Sequence, residues 1–274
     1  MLKIQDIDAY SAARTVTHWA MQFPGTVGRV LADPQDDWGH VSVAWDSAKG
    51  LLLSQPASAP HPFRVGLRVA SLELIVASQD KSDTFALVGR TVGEAMTWLG
   101  AQVGLRNNGD IPEGFEFPFE KMGEHDLASG GVFVAEPALP QVEAWIAMAS
   151  TVIDGARADL DDPTPMRIWP HHFDGAAIGV IDKDADPEEA RSVTMGLSFG
   201  DGGSPTPYAY VLPWPAPSPD VLDDLEVGAW TTDGWVGALI NGSDLPDDLG
   251  EATAMLHAFY AGANVAARKA IGAD

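Results

Sequence analysis

The stretch Ile168-Trp169-Pro170-His171-His172-Phe173-Asp174 carries two of the chain's seven histidines beside a carboxylate. In extended backbone, successive side chains point to opposite faces. His172 and Asp174 are then expected on one face, with His171 pointing away. An imidazole and a carboxylate on one face can bind a metal ion, or can orient the ring for proton transfer. The helical His-Glu-x-x-His motif is absent, which removes the main support for a zinc hydrolase. The plainer reading is a histidine hydrogen-bonded at a strand end, with Asp174 bonding a nearby backbone amide. Buried polar groups are as a rule satisfied and inert.

A second candidate is Phe199-Gly200-Asp201-Gly202-Gly203-Ser204-Pro205. Its glycines permit tight turns and close backbone approach to a ligand, and loops at strand ends are where sites tend to sit. It has neither the Gly-Lys-Ser/Thr ending of a P-loop nor the strand-to-helix setting of a dinucleotide fingerprint. It also reads as a glycine-rich hairpin. Asp201 joins His172 and Asp174 as the candidate catalytic residues. Trp169, His171, Tyr208 and Tyr210 are the candidate ligand-binding residues. Tyr208 and Tyr210 share one strand face, where they line a pocket with hydroxyls at its rim or else serve as core. These residues point to no particular metal or cofactor.

Other chemistry is thinly supported. Asp182-Lys183-Asp184-Ala185-Asp186-Pro187-Glu188-Glu189 opens like a calcium loop. Pro187 occupies its glycine position and Val193 the place of its bidentate Glu, so it reads as a solvated acidic hairpin loop. No Gly-x-Ser-x-Gly elbow exists. Carboxylates are so abundant that no glycosidase-type pair stands out. His18, beside the apolar face of the first helix, reads as structural.

These residues need elements to position them. Val16, Trp19, Ala20 and Phe23 recur at helical spacing, predicting a helix over Asp6 to Leu31 that ends or kinks at Pro24-Gly25. Short strands follow over residues 41–45, 51–55, 63–69, 72–76 and 84–88. Phe63 to Val69 alternates apolar with Arg64, Gly66 and Arg68, as a half-buried antiparallel strand does. Thr91 with Glu94 forms a capping box for a second helix that Gly104 closes. Residues 107–136 lose periodicity and read as an irregular connection, a domain boundary or a flap over a cleft. Val142, Trp145, Ile146, Ala149, Val152, Ile153, Ala156 and Leu160 make the cleanest amphipathic helix. Strands are expected over 166–169, 176–182, 193–199, 208–212, 227–231 and 235–240, with Asp233-Gly234 turning the last hairpin. A helix over Asp247 to Ile271 buries Leu256, Phe259, Tyr260 and Ala263.

Runs of strands between helices predict an α+β fold, antiparallel or mixed sheets packed by about four amphipathic helices. The order suggests a helix–strands–helix pseudo-repeat, with halves at 1–106 and 137–274 joined by 107–136, or one compact domain.

The totals narrow the function classes. The chain has 274 residues, 46% of them hydrophobic, and no cysteine. That is enough to bury a core without disulfides, and it excludes thiolate chemistry. Sixteen basic residues against thirty-nine acidic ones leave a net charge of −23. Such a surface repels nucleic-acid backbones and anionic membranes. The start, Met1-Leu2-Lys3-Ile4-Gln5-Asp6, lacks a secretory apolar region, and no run suffices to cross a bilayer. A cytoplasmic protein is the expectation.

Three stretches carry a resemblance: His18-Trp19, the run ending in Phe173-Asp174, and Ser198-Phe199-Gly200-Asp201-Gly202-Gly203-Ser204 followed by Pro207-Tyr208-Ala209-Tyr210 and Pro213-Trp214-Pro215. With the order of elements, the chain resembles a bacterial family known as a domain of unknown function (number 5996). The resemblance implies a bacterial, cytoplasmic protein and no particular reaction or cofactor. Two functions follow as expectations. One is a small-ligand binding protein or enzyme, by acid–base or metal-assisted hydrolysis, with a cleft near His172, Asp174 and Asp201. The other is a non-catalytic protein–protein interaction protein using its acidic or Pro-Trp-Pro surface.

Overall fold

A computed structural model describes residues 2–79, 81–186 and 189–273. Pro187 and Glu188 of the acidic loop, and Met1, lie outside the described residues. Among the described residues the fold is α+β, with four α-helices and eleven strands whose pairings are antiparallel. It divides into two compact units. One comprises Asp8–Glu143 and Arg167–Phe173; the other comprises the residues up to Ile7, Ala144–Met166, and the chain from Asp174 onward.

In the first unit, α1 (Ile7–Leu31) is buried along most of its length from Val16 to Val27. It does not end at Pro24-Gly25, as the sequence allowed, but continues to Leu31. Proline in a helix interior loses a hydrogen bond, but here tertiary packing offsets that loss. A Cβ at Gly28 would lie 2.5 Å from the His40 carbonyl oxygen, and one at Gly25 would lie 3.0 Å from the Pro170 ring. Glycine at both positions lets other backbone close on the helix. Strands β1 (Val43–Asp46), β2 (Leu51–Ser54), β3 (Phe63–Arg68), β4 (Glu73–Ser78) and β5 (Ser82–Ala86) form a meander. The alternation in β3 holds: Phe63, Val65 and Leu67 are buried and the two arginines half-exposed. Helix α2 (Val92–Arg106) starts on the Thr91–Glu94 capping box and passes Gly104 by two residues. The 107–136 connection carries two short 3-10 turns. It is anchored rather than loose: Phe117, Leu127 and Phe133 are buried, and the Phe117 ring stacks on Trp19 at 5.5 Å.

Strand β6 (Arg167–Trp169) pairs with β1 and belongs to this first unit, whose strand order is β6-β1-β2-β3-β4-β5. The helix–strands–helix repeat is therefore not confirmed, because a strand from the later half of the sequence completes the earlier sheet.

The second unit holds most of α3 (Leu139–Ala156) and the strands β7 (Asp174–Val180), β8 (Ser192–Ser198), β9 (Tyr208–Trp214), β10 (Ala229–Thr231) and β11 (Gly237–Asn241). Its order is β7-β8-β9-β11-β10. Helix α4 (Leu249–Ala270), capped by the Asp248 side chain, packs on β8, β9 and β11. Leu256, Phe259, Tyr260 and Ala263 are buried, as their spacing predicts. Gly175 on β7 faces α3, within ordinary contact distance of Ala149 and Ile153, and a Cβ there would lie 2.5 Å from the end of the Met166 side chain.

Candidate functional site

Register places the polar groups of the second unit. Asp174 on β7 is opposite Ser198 on β8, Ser198 is opposite Tyr208 on β9, and Tyr208 is opposite Asn241 on β11. Directly opposed residues of antiparallel strands share a face. Asp174, Ser198, Tyr208 and Asn241 thus make one polar row across four strands. One rung along the same face lie Ala176, Gly196 and Tyr210. Because side chains alternate along a strand, this face of β7 is the one turned away from α3. The alternate residues Met195, Leu197, Ala209 and Val211 are buried core.

Two carboxylate–phenol pairs organise the row. Asp174 is 8% exposed, and its Oδ2 accepts the Tyr210 hydroxyl at 2.5 Å. Tyr208 donates its hydroxyl to Oδ2 of Asp201 at 2.7 Å. Asp201 is held in turn by the amides of Gly203 and Ser204, which donate to its Oδ1 at 2.7 and 2.8 Å. Gly200, at φ 101, makes the turn that no larger residue adopts easily, and its amide donates to the buried Ser198 Oγ at 3.1 Å. The glycine-rich segment is therefore a β8–β9 hairpin loop whose shape presents Asp201 to Tyr208.

Burial, and then the hydrogen bond and charge of Asp201, push the Tyr208 phenol up to about 12. Burial, and then Asp174, push Tyr210 well above the usual range. Both phenols keep their protons at neutral pH and donate them to carboxylates. A phenol oxygen that donates still has lone pairs to accept a ligand hydroxyl or amine. Each pair can therefore relay a proton from ligand to tyrosine as the tyrosine proton passes to its aspartate.

The histidines are arranged differently from the extended reading. Residues 170–173 form a turn: the Phe173 amide donates to the Trp169 carbonyl at 2.8 Å, and Phe173 sits at φ 53. Alternation is lost there. His171 and His172, instead of pointing apart, face each other with ring centroids 4.2 Å apart, both exposed. Trp169 meets His171 edge-on at 5.7 Å. His172, His171 and Trp169 belong to the first unit, Asp174, Asp201, Tyr208 and Tyr210 to the second. The structure thus brings together four of the seven residues singled out from the sequence. It adds Ser198 and Asn241, which sequence reasoning passed over. Ser198 falls on the opposite phase from the apolar alternation of Val193, Met195, Leu197 and Phe199, and that was the available signal for the first of them.

Among the described residues no three His, Asp or Glu side chains gather as a metal centre would require. No helix of the described residues is long and apolar enough to cross a membrane. No family model, curated protein or solved structure matches the chain.

Proposed function

We propose that this chain is a small-ligand binding protein with acid–base capacity, its site built on Asp174, Tyr210, Tyr208, Asp201 and Ser198. The observation that carries the reading is the buried Asp174 receiving the Tyr210 hydroxyl at 2.5 Å, one rung from a second such pair. Two carboxylates and two protonated phenols on one face present mainly acceptors to an incoming molecule. The fitting ligand is rich in donors, a neutral polyol or a primary amine. As an enzyme, the chain would act by proton transfer in hydrolysis, with Asp174 as the base behind Tyr210. The bacterial family resemblance and a cytoplasmic setting belong to the same proposal.

The test is a thermal-shift panel of polyols and primary amines against the wild-type chain, Asp174→Asn and Tyr210→Phe. One ligand class should raise the wild-type melting temperature and leave both variants unmoved. If no class shifts the wild type, or the shift survives in both variants, the reading is wrong.

A further inference from the structure

Trp235 adds a third ring to the two phenols of the row. A Cβ at Gly237 would lie 2.1 Å from Cζ3 of this indole, so the ring occupies the space that a side chain at 237 would fill. Gly237 and Leu239 share a face of β11, because side chains alternate along a strand, and Leu239 is opposite Tyr210. The indole therefore lies on the same face of the sheet as the phenols. There it meets Tyr210 edge to face, centroids 6.4 Å apart and planes at 81°. Tyr210 in turn lies 6.2 Å from Tyr208, at 50°. All three residues are half-buried, open enough for a ligand to touch and shielded enough for a charge against the rings to count.

Rings set at these angles make a corner, not a flat platform. A flat platform suits the apolar face of a sugar ring. A corner suits a compact cation, which is drawn to the electron-rich faces of several rings at once. The charges beside the rings have the matching sign. Tyr208 donates to Asp201 at 2.7 Å and Tyr210 to Asp174 at 2.5 Å, and both phenol oxygens keep lone pairs for an N–H donor. Among the described residues the chain's own cation–ring contacts are Arg90 on Phe85 and Arg106 on Phe63, both in the first unit. The chain carries a net charge of −23, which draws cations in and leaves neutral solutes indifferent.

We infer that Trp235 is the specificity-determining residue of this site and that it selects a primary alkylammonium ion over a neutral polyol. That selection presupposes the Asp174–Tyr210 site proposed above and narrows its ligand to one class. The ammonium N–H groups bond to the phenol oxygens, its charge sits beside Asp174 and Asp201, and its alkyl chain lies against the indole.

The test is a saturation-transfer NMR titration of the full chain at pH 7 with n-butylammonium chloride and, in parallel, with erythritol, a polyol of the same chain length. Sodium chloride holds the ionic strength constant. Butylammonium should bind saturably and distinctly tighter than erythritol, a ranking that needs no variant. Trp235→Leu removes the π face without changing the net charge, and should weaken butylammonium about fivefold or more. Trp235→Phe should keep most of the affinity, and melting temperatures will show that both variants fold. Erythritol binding that equals or exceeds butylammonium, and is abolished by Asp174→Asn, overturns the role of Trp235 and leaves the acid–base site standing. Butylammonium binding that is lost in Asp174→Asn but unchanged in Trp235→Leu has the same consequence. If neither probe binds saturably, or Asp174→Asn binds as the wild type does, the site falls and the role of Trp235 with it.

Discussion

Tyr210 lies on Gly196: a Cβ added at 196 would stand 2.1 Å from Cζ of the tyrosine ring. The two are register partners on β9 and β8, and the missing side chain is what lets the phenol reach across β8 to Asp174 on β7. Gly196→Ala must therefore displace the ring. Overpacking of this kind costs about 1–3 kcal/mol. The loss should appear in urea unfolding, together with a changed near-ultraviolet tyrosine spectrum. Ala176→Gly on the neighbouring strand should leave that spectrum unchanged.

The alkaline titration of this protein should be unusual. All four of its tyrosines are shifted upward, with burial the first cause in each. Tyr208, at about 12, is the first to ionise. Its folded value is raised, so its contribution to stability is complete below the unfolded value of about 10. That contribution is lost as pH climbs from there through about 12. Tyrosinate absorbance of the native protein should be flat near pH 10, and its first step should vanish in Tyr208→Phe. Asp201→Asn should bring that step to lower pH without restoring the ordinary value, since burial remains. A native step near pH 10 would contradict the packing of this face.

Helices were legible because their faces repeat. Val142, Trp145, Ile146, Ala149, Val152, Ile153 and Ala156 are all buried on α3, as the spacing predicts. The strands and the Thr91–Glu94 cap were legible for the same local reasons. What failed depended on distant contacts. Pro24 reads as a breaker, yet α1 continues because its neighbours pack against Pro170 and His40. The Pro-His-His-Phe-Asp run reads as extended, since no glycine or asparagine marks Phe173 for a left-handed conformation. The pairing of Tyr210 with Asp174 needs the register of three strands, which no single segment encodes. Asp201 and Tyr208 were visible as types, and their hydrogen bond was not.

Trp145 ties the start of the chain to the second unit's core. It is 1% exposed, and its indole N–H donates to the Leu2 carbonyl at 3.0 Å. Gly242 closes over the ring, where a Cβ would lie 2.8 Å away. Trp145→Ala removes a large buried side chain and should cost about 3–5 kcal/mol. Trp145→Phe should cost distinctly less, because most of the volume is kept. Denaturant midpoints of the two variants check the order.

Asp182 and Arg191 close the β7–β8 connection. The guanidinium donates to both carboxylate oxygens, at 2.7 and 2.8 Å, and the Arg191 amide adds a third bond at 3.1 Å. These contacts, the side-chain hydrogen bond first, hold the Asp182 carboxyl down to about 2. Its folded value is depressed, so its stabilising effect is complete above the ordinary value near 3.8 and is lost as pH falls through about 2. Arg191 also donates to the Gly272 carbonyl beyond α4, so the pair bears on the C-terminal turn as well as the hairpin. Asp182→Asn should lower stability at neutral pH, and its difference from the wild type should shrink between pH 4 and pH 2. Urea unfolding across that interval measures it. The subtraction matters because many other carboxylates titrate there too, and they cancel only in the comparison. A gap that stays constant down to pH 2 would mean that the Asp182 carboxylate contributes through packing rather than charge.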